Sequence, residues 1–159
     1  MPEDLKQRLE NLAKLQAPLI VAIKVAPGSK QQFLAAAKEH LEAARSTSNA
    51  PRVRFSAAAE AAHTLLLTAM QEHGYKPSGE KGHRTILFDQ AEDLVGVTRA
   101  EAAFLRDMHR VRNQSIYDAA APATKEDLEA LIKLVEQIEA RLSGAKPSGA
   151  GANSKLKPV

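Results

Sequence analysis

The stretch RVRFSAAAEAAHTLLLTAMQEH, residues 52–73, constrains the fold more than any other part of the chain. Phe55, Ala59, Ala62, Leu66, Ala69 and Met70 fall at helical spacing along it. It predicts one long helix, stopped by Gly74 in a left-handed C-cap. Aromatic residues make up only 4% of the chain, so the core must be filled by Leu, Ile, Val and the many alanines. Side chains of that size suit close helix–helix packing better than a β-sandwich.

Other helices start at recognisable signals. Ser29-x-x-Gln32, Thr98-x-x-Glu101 and Thr124-x-x-Asp127 each set a hydroxyl before an amphipathic run with a polar partner three residues on. Such pairs satisfy orphan amides at a helix N-terminus. They predict helices over 29–45 (burying Phe33, Ala37, Leu41 and Ala44), from about 99 into the segment near 110, and over 125–142. The last carries Leu128, Leu131, Val135, Ile138 and Leu142 in steps of three and four, a narrow seam suited to one partner helix. A shorter helix is expected over 83–94, with Ile86, Leu87, Ala91 and Leu94 inward, after a loop YKPSGEKG at 75–82. Residues 3–15 read as an amphipathic helix on Leu5, Leu9 and Leu12, whereas PLIVAIKVAPG (18–28) fits a short strand or a helix equally. The expected fold class is an all-α bundle of five or six helices.

With 159 residues, the chain has room for one domain and a tail. The organisation reads as an N-terminal helix and ambiguous apolar segment (1–28), a helical body (29–143) and a disordered Gly/Ser/Pro/Lys-rich tail (144–159). Against 19 acidic residues stand 22 basic ones, a formal charge of +3. Setting aside Lys146, Lys155 and Lys157 of the tail leaves 19 of each sign, so the body has no charge excess of the kind that marks DNA-binding domains. With no cysteine, the chain has neither a disulfide framework nor a thiolate metal site. No apolar run nears the roughly 20 residues that cross a bilayer, and no export signal opens the chain. The expectation is a cytoplasmic protein without membrane association.

His40, His63, His73, His83 and His109 include no pair at the i, i+4 spacing of a helical zinc site, so neither a metal nor another cofactor is expected. His83 and Arg84, at a helix head, could take an anion or simply make a polar start. The segment HRVRNQSIYDAA, residues 109–120, is the richest in chemistry. Arg112 continues the stripe of Leu105 and Met108 and so faces inward or toward a partner. Its planar, permanently charged fork suits phosphate, and Asn113 could orient it or a ribose. Tyr117 stands five residues on, about 140° around a regular helix. Arg112 and Tyr117 can therefore converge only through a helix break or a second copy of the chain. The plain alternative is an arginine tying helices together through backbone carbonyls, with Tyr117 filling a gap.

The order of these features, SAAAEAAHTLLLTAMQEHGYKP, then Gly82-His83, then RNQSIYD, resembles the HEPN superfamily (higher eukaryotes and prokaryotes nucleotide-binding domains) over residues 30–142. The resemblance implies an all-α, usually dimeric bundle whose motif pairs across the dimer, and makes 29–143 the HEPN-like domain. It gives Arg112 the phosphate-contacting role and Asn113 the adjacent polar one, with His83 and Arg84 as further nucleotide or RNA contacts. The catalytic histidine of cleaving members falls on Tyr117. A tyrosine with a pKa of about 10 is not a ready base at neutral pH, and His109 precedes the arginine, in the wrong order to replace it. The implied function is a toxin–antitoxin or defence protein that binds nucleotide, RNA or a partner, with weak or no RNase activity. Small relatives pair with a nucleotidyltransferase that modifies a nearby tyrosine, which points to Tyr117, or with an antitoxin. The alternatives are a metal-independent endoribonuclease toxin using Arg112, Asn113 and Tyr117, and a non-catalytic assembly module.

Overall fold

A computed structural model describes residues 2–15, 18–79, 83–117 and 124–144. Among these the fold is helical apart from one two-stranded ladder. The order is α1 (Pro2–Ala13), β1 (Ile20–Ala22), α2 (Ser29–Arg45), α3 (Pro51–Glu72), β2 (Tyr75–Pro77), α4 (His83–Asp89), α5 (Ala91–Val95), α6 (Arg99–Tyr117) and α7 (Lys125–Ser143). The tail segment 145–159 lies outside the described residues, as does 118–123.

The long alanine-rich helix is the centre of the molecule. α3 touches α2, α4, α5, α6, α7 and β2. Pro51 opens it at a position where the missing N–H costs nothing. Phe55, Leu65, Leu66 and Met70 are buried together with five of its alanines, because a helix enclosed on most sides must be apolar nearly all round. Thr68 is buried too, and its hydroxyl donates to the Thr64 carbonyl at 2.7 Å, so no polar atom of that side chain is stranded. Gly74, at φ +89°, turns the chain from α3 into β2.

Several expectations change in detail. Residues 20–22 form a strand, antiparallel to β2 with Ile20 opposite Pro77 and Ala22 opposite Tyr75. Bonds from Ile23 N–H to the Gly74 carbonyl and from Ser78 N–H to the Leu19 carbonyl, each 2.8 Å, extend the pairing. The expected loop at 75–82 therefore begins with a strand. Three residues, one of them proline, are too few to show an alternating pattern. The helix expected over 83–94 bends at Gln90 into α4 and α5, giving seven helices among the described residues rather than five or six. Ile86, Leu87, Ala91 and Leu94 are all buried across the bend, so the apolar period runs through it and hides it.

Thr98 and Glu101 make the expected reciprocal cap, Thr98 N–H to Glu101 Oε1 at 2.9 Å and Glu101 N–H to Thr98 Oγ1 at 3.0 Å. Thr124 makes its half, accepting from Asp127 N–H at 3.0 Å. Ser29 does not cap α2, because Gly28 at φ +81° takes the N-cap position and Ser29 is already inside the helix. Phe33 is half-buried, while Ala37, Leu41 and Ala44 are buried. α7 is broader than a one-partner seam: Ile132 and Leu134 are buried as well, and it packs on α2, α3, α5 and α6. Arg141 ties it to α5, donating to the Val95 carbonyl at 3.0 Å. Leu5 and Leu9 of α1 are fully buried in the same core as the other helices. No described helix is long and apolar enough to cross a membrane.

Candidate functional site

Glu60 is the single acidic residue in the apolar run of α3 between Phe55 and Met70. It lies under the place where α4 and α6 meet α3, and one oxygen, Oε2, receives a guanidinium from each. Arg84 Nη1 is 3.0 Å away and Arg112 Nη2 is 2.8 Å away. Glu60 is 25% exposed and Arg112 19%, so the group is largely shielded from water while Arg84 stays more open. Burial alone would push the Glu60 carboxyl upward. The hydrogen bond from Arg84 and the charges of Arg84, Arg112 and His63 outweigh it and hold the group below the usual carboxylate range.

One turn before Arg112, the imidazole of His109 lies on the ring of Phe88 from α4, with centroids 4.5 Å apart and planes at 24°. Its Nε2 is 3.3 Å from the Asn113 side-chain amide nitrogen, one turn further along α6. The two side chains thus meet across one turn of α6. His109 is held below its ordinary pKa by burial first, then by the Arg84 and Arg112 charges, with Glu60 opposing.

Beside this pair runs a groove of about 540 Å³ between α4 and α6, lined by Phe88, Arg106, His109, Arg110, Asn113 and Gln114 among others. Arg110 also reaches Asp107 at 3.4 Å. Among the described residues, Arg84 and Arg112 thus meet Glu60 behind this face, while Arg106 and Arg110 line the groove together with Asp107. Positive, partly shielded guanidiniums beside a cleft are suited to binding phosphate or carboxylate anions. Among the described residues no group of three or more His, Cys, Asp or Glu could hold a metal ion.

Of the site residues expected from sequence, the fold brings Arg84 and Arg112 together. Arg84 turns to Glu60 rather than to the N-terminus of its own helix. Arg112 ties helices together, as the plain alternative held, but through a carboxylate and not a backbone carbonyl. Asn113 faces His109 and the groove. α6 is unbroken from Arg99 to Tyr117, so no helix break turns Arg112 and Tyr117 to one side. The side chains of His83 and Tyr117, and the modification expected at Tyr117, lie outside the described residues. Sequence reasoning missed Glu60 and Phe88 and set His109 aside. The isolated acid in an otherwise apolar helical face was the available signal for Glu60; nothing in the sequence marked Phe88 as other than core.

No protein-family model, curated protein or solved structure matches this chain.

Proposed function

We propose that this chain is a HEPN-like protein of the toxin–antitoxin or defence type whose α3–α4–α6 site binds the phosphate of a nucleotide or RNA. The observation that carries the reading is the convergence of Arg84 and Arg112 on the one oxygen of Glu60. The carboxylate draws the two guanidiniums together, and Arg84, the more exposed of the pair, is suited to phosphate oxygens. Arg106 and Arg110 extend positive charge along the groove wall, as a polyanion would require. A homodimer, and a partner that is either a nucleotidyltransferase modifying Tyr117 or an antitoxin, belong to the same proposal.

Binding of a short labelled RNA, measured by anisotropy in EDTA over a salt series, tests it. The expected result is saturable binding that weakens with salt, competed by inorganic polyphosphate. No binding at low salt would overturn it. Light scattering at tens of micromolar protein tests the dimer, and a monomer there would remove that part.

A second reading, metal-independent RNA cleavage, is favoured by one observation: the imidazole of His109 lies at the groove with its pKa held down by burial and by the Arg84 and Arg112 charges. Cleavage of that RNA in EDTA, lost in both His109→Phe and Tyr117→Phe, would make this protein an enzyme.

A further inference from the structure

From the Phe88–His109 stack in the arginine-lined groove, we infer a subsite for an unpaired base of single-stranded RNA, seated on the imidazole face that Phe88 leaves uncovered. The inference rests on the phosphate-binding reading above and adds what the ligand must carry besides phosphate.

Phe88 is only 3% exposed and occupies one face of the imidazole. His109 also lines the groove. Phe88 backs the ring and the Asn113 amide meets Nε2, and both contacts restrain it. A backed, in-plane-anchored aromatic ring is a ready platform: a base can stack on it without first having to order it. Arg106 and Arg110 lie one turn or less from His109 on α6 and reach the same groove. The phosphates on either side of a stacked base can meet those guanidiniums, while Gln114 offers an amide to a base edge. Charge and stacking together suit a single strand. In a duplex the bases are stacked on one another and present only edges, so the platform would go unused.

The occupant is chosen over two others. A carboxylate-rich peptide would satisfy the arginines but leave the ring platform empty. An apolar helix would cover His109 but take the Arg106 guanidinium and the Arg110–Asp107 pair out of water.

The test compares three probes of equal length on the full chain: single-stranded oligoadenylate RNA, the same backbone with all bases removed, and an RNA duplex. Stacking predicts that the single strand binds about tenfold more tightly than the base-free backbone. His109→Ala should erase that preference, and His109→Phe, which keeps a ring, should preserve it. Equal affinity of wild type for the single strand and the base-free backbone overturns the subsite while leaving phosphate binding intact. So does a preference that His109→Ala retains, or a duplex bound as tightly as the single strand. Failure of all three probes to bind refutes the phosphate reading itself, and the subsite with it. The wild-type comparison needs no substitution, so a variant that folds poorly does not decide the matter.

Discussion

Arg112 of α6 reaches Glu60 of α3 with 2.8 Å between Nη2 and Oε2. Both side chains are mostly shielded, so the pair is closer to an internal tie than to a surface ion pair. The distinction matters because exposed pairs contribute little, whereas removal of one member of a shielded pair strands the other.

Glu60→Ala removes the carboxylate that Arg84 and Arg112 share. The expected loss is about 1–3 kcal/mol, moderated by the exposure of Arg84. At roughly 2–4 °C per kcal/mol for a chain of this size, thermal denaturation should detect it. An unchanged Tm would show that the three groups are not energetically coupled.

Arg112→Ala should weaken binding of nucleotide or RNA by roughly 1–3 kcal/mol, the scale of a charge-assisted hydrogen bond. Arg84 remains to neutralise Glu60, so the stability cost should be smaller than for Glu60→Ala. Arg112→Lys keeps the charge but not the fork and should recover only part of the affinity. Unchanged binding with stability lower by several kcal/mol would make the arginine purely structural.

Acidification should destabilise the fold in two stages. The folded chain protonates His109 only below the pH at which the unfolded chain does, because burial and the Arg84 and Arg112 charges lower its pKa. Stability is therefore fully present above the ordinary value of about 6.5 and drops as pH falls from there toward the lowered value. Glu60, also lowered, contributes stability above the ordinary carboxylate range that is lost as pH falls through its own lowered value. Tm measured against pH should show both limbs. His109→Phe should remove the upper one and keep the lower; a decline parallel to wild type would contradict this assignment.

The three hydroxyl starts should differ in cost. Thr98→Ala breaks a reciprocal cap and should cost about 1 kcal/mol, with Thr124→Ala similar or slightly less. Ser29→Ala should fall within about 0.5 kcal/mol, because Ser29 makes no cap. Urea denaturation of the three variants ranks them; an equal loss at Ser29 would reverse the reading of that helix start.

The helices were legible because their apolar residues recur at one period over long runs, and Thr98 and Glu101 show that a reciprocal cap can be read three residues apart. Ser29 was not legible in the same way: the neighbouring glycine competes for the cap, and geometry rather than residue type decides. The bend at Gln90 left no trace because both halves bury the same face. In the site, Arg112 could be placed inward from Leu105 and Met108 alone. Its partner could not, since which of three helices supplies the carboxylate depends on how α3, α4 and α6 cross. The same is true of His109, whose neighbour Phe88 belongs to another helix.

The ladder between Ile20–Ala22 and Tyr75–Pro77 sets an order of events during synthesis. The strand that follows the first helix takes its hydrogen bonds from residues beyond α3. As the chain leaves the ribosome, the first helix and its strand must wait until Pro77 has emerged before they can dock in register. Meanwhile α2 and α3, adjacent along the chain and packed against each other, can pair at once. The amino-terminal segment is thus made early but seated late. A pause in translation between the codons for α3 and β2 would prolong the interval in which Leu5, Leu9 and Ile20 are exposed to chaperones and proteases.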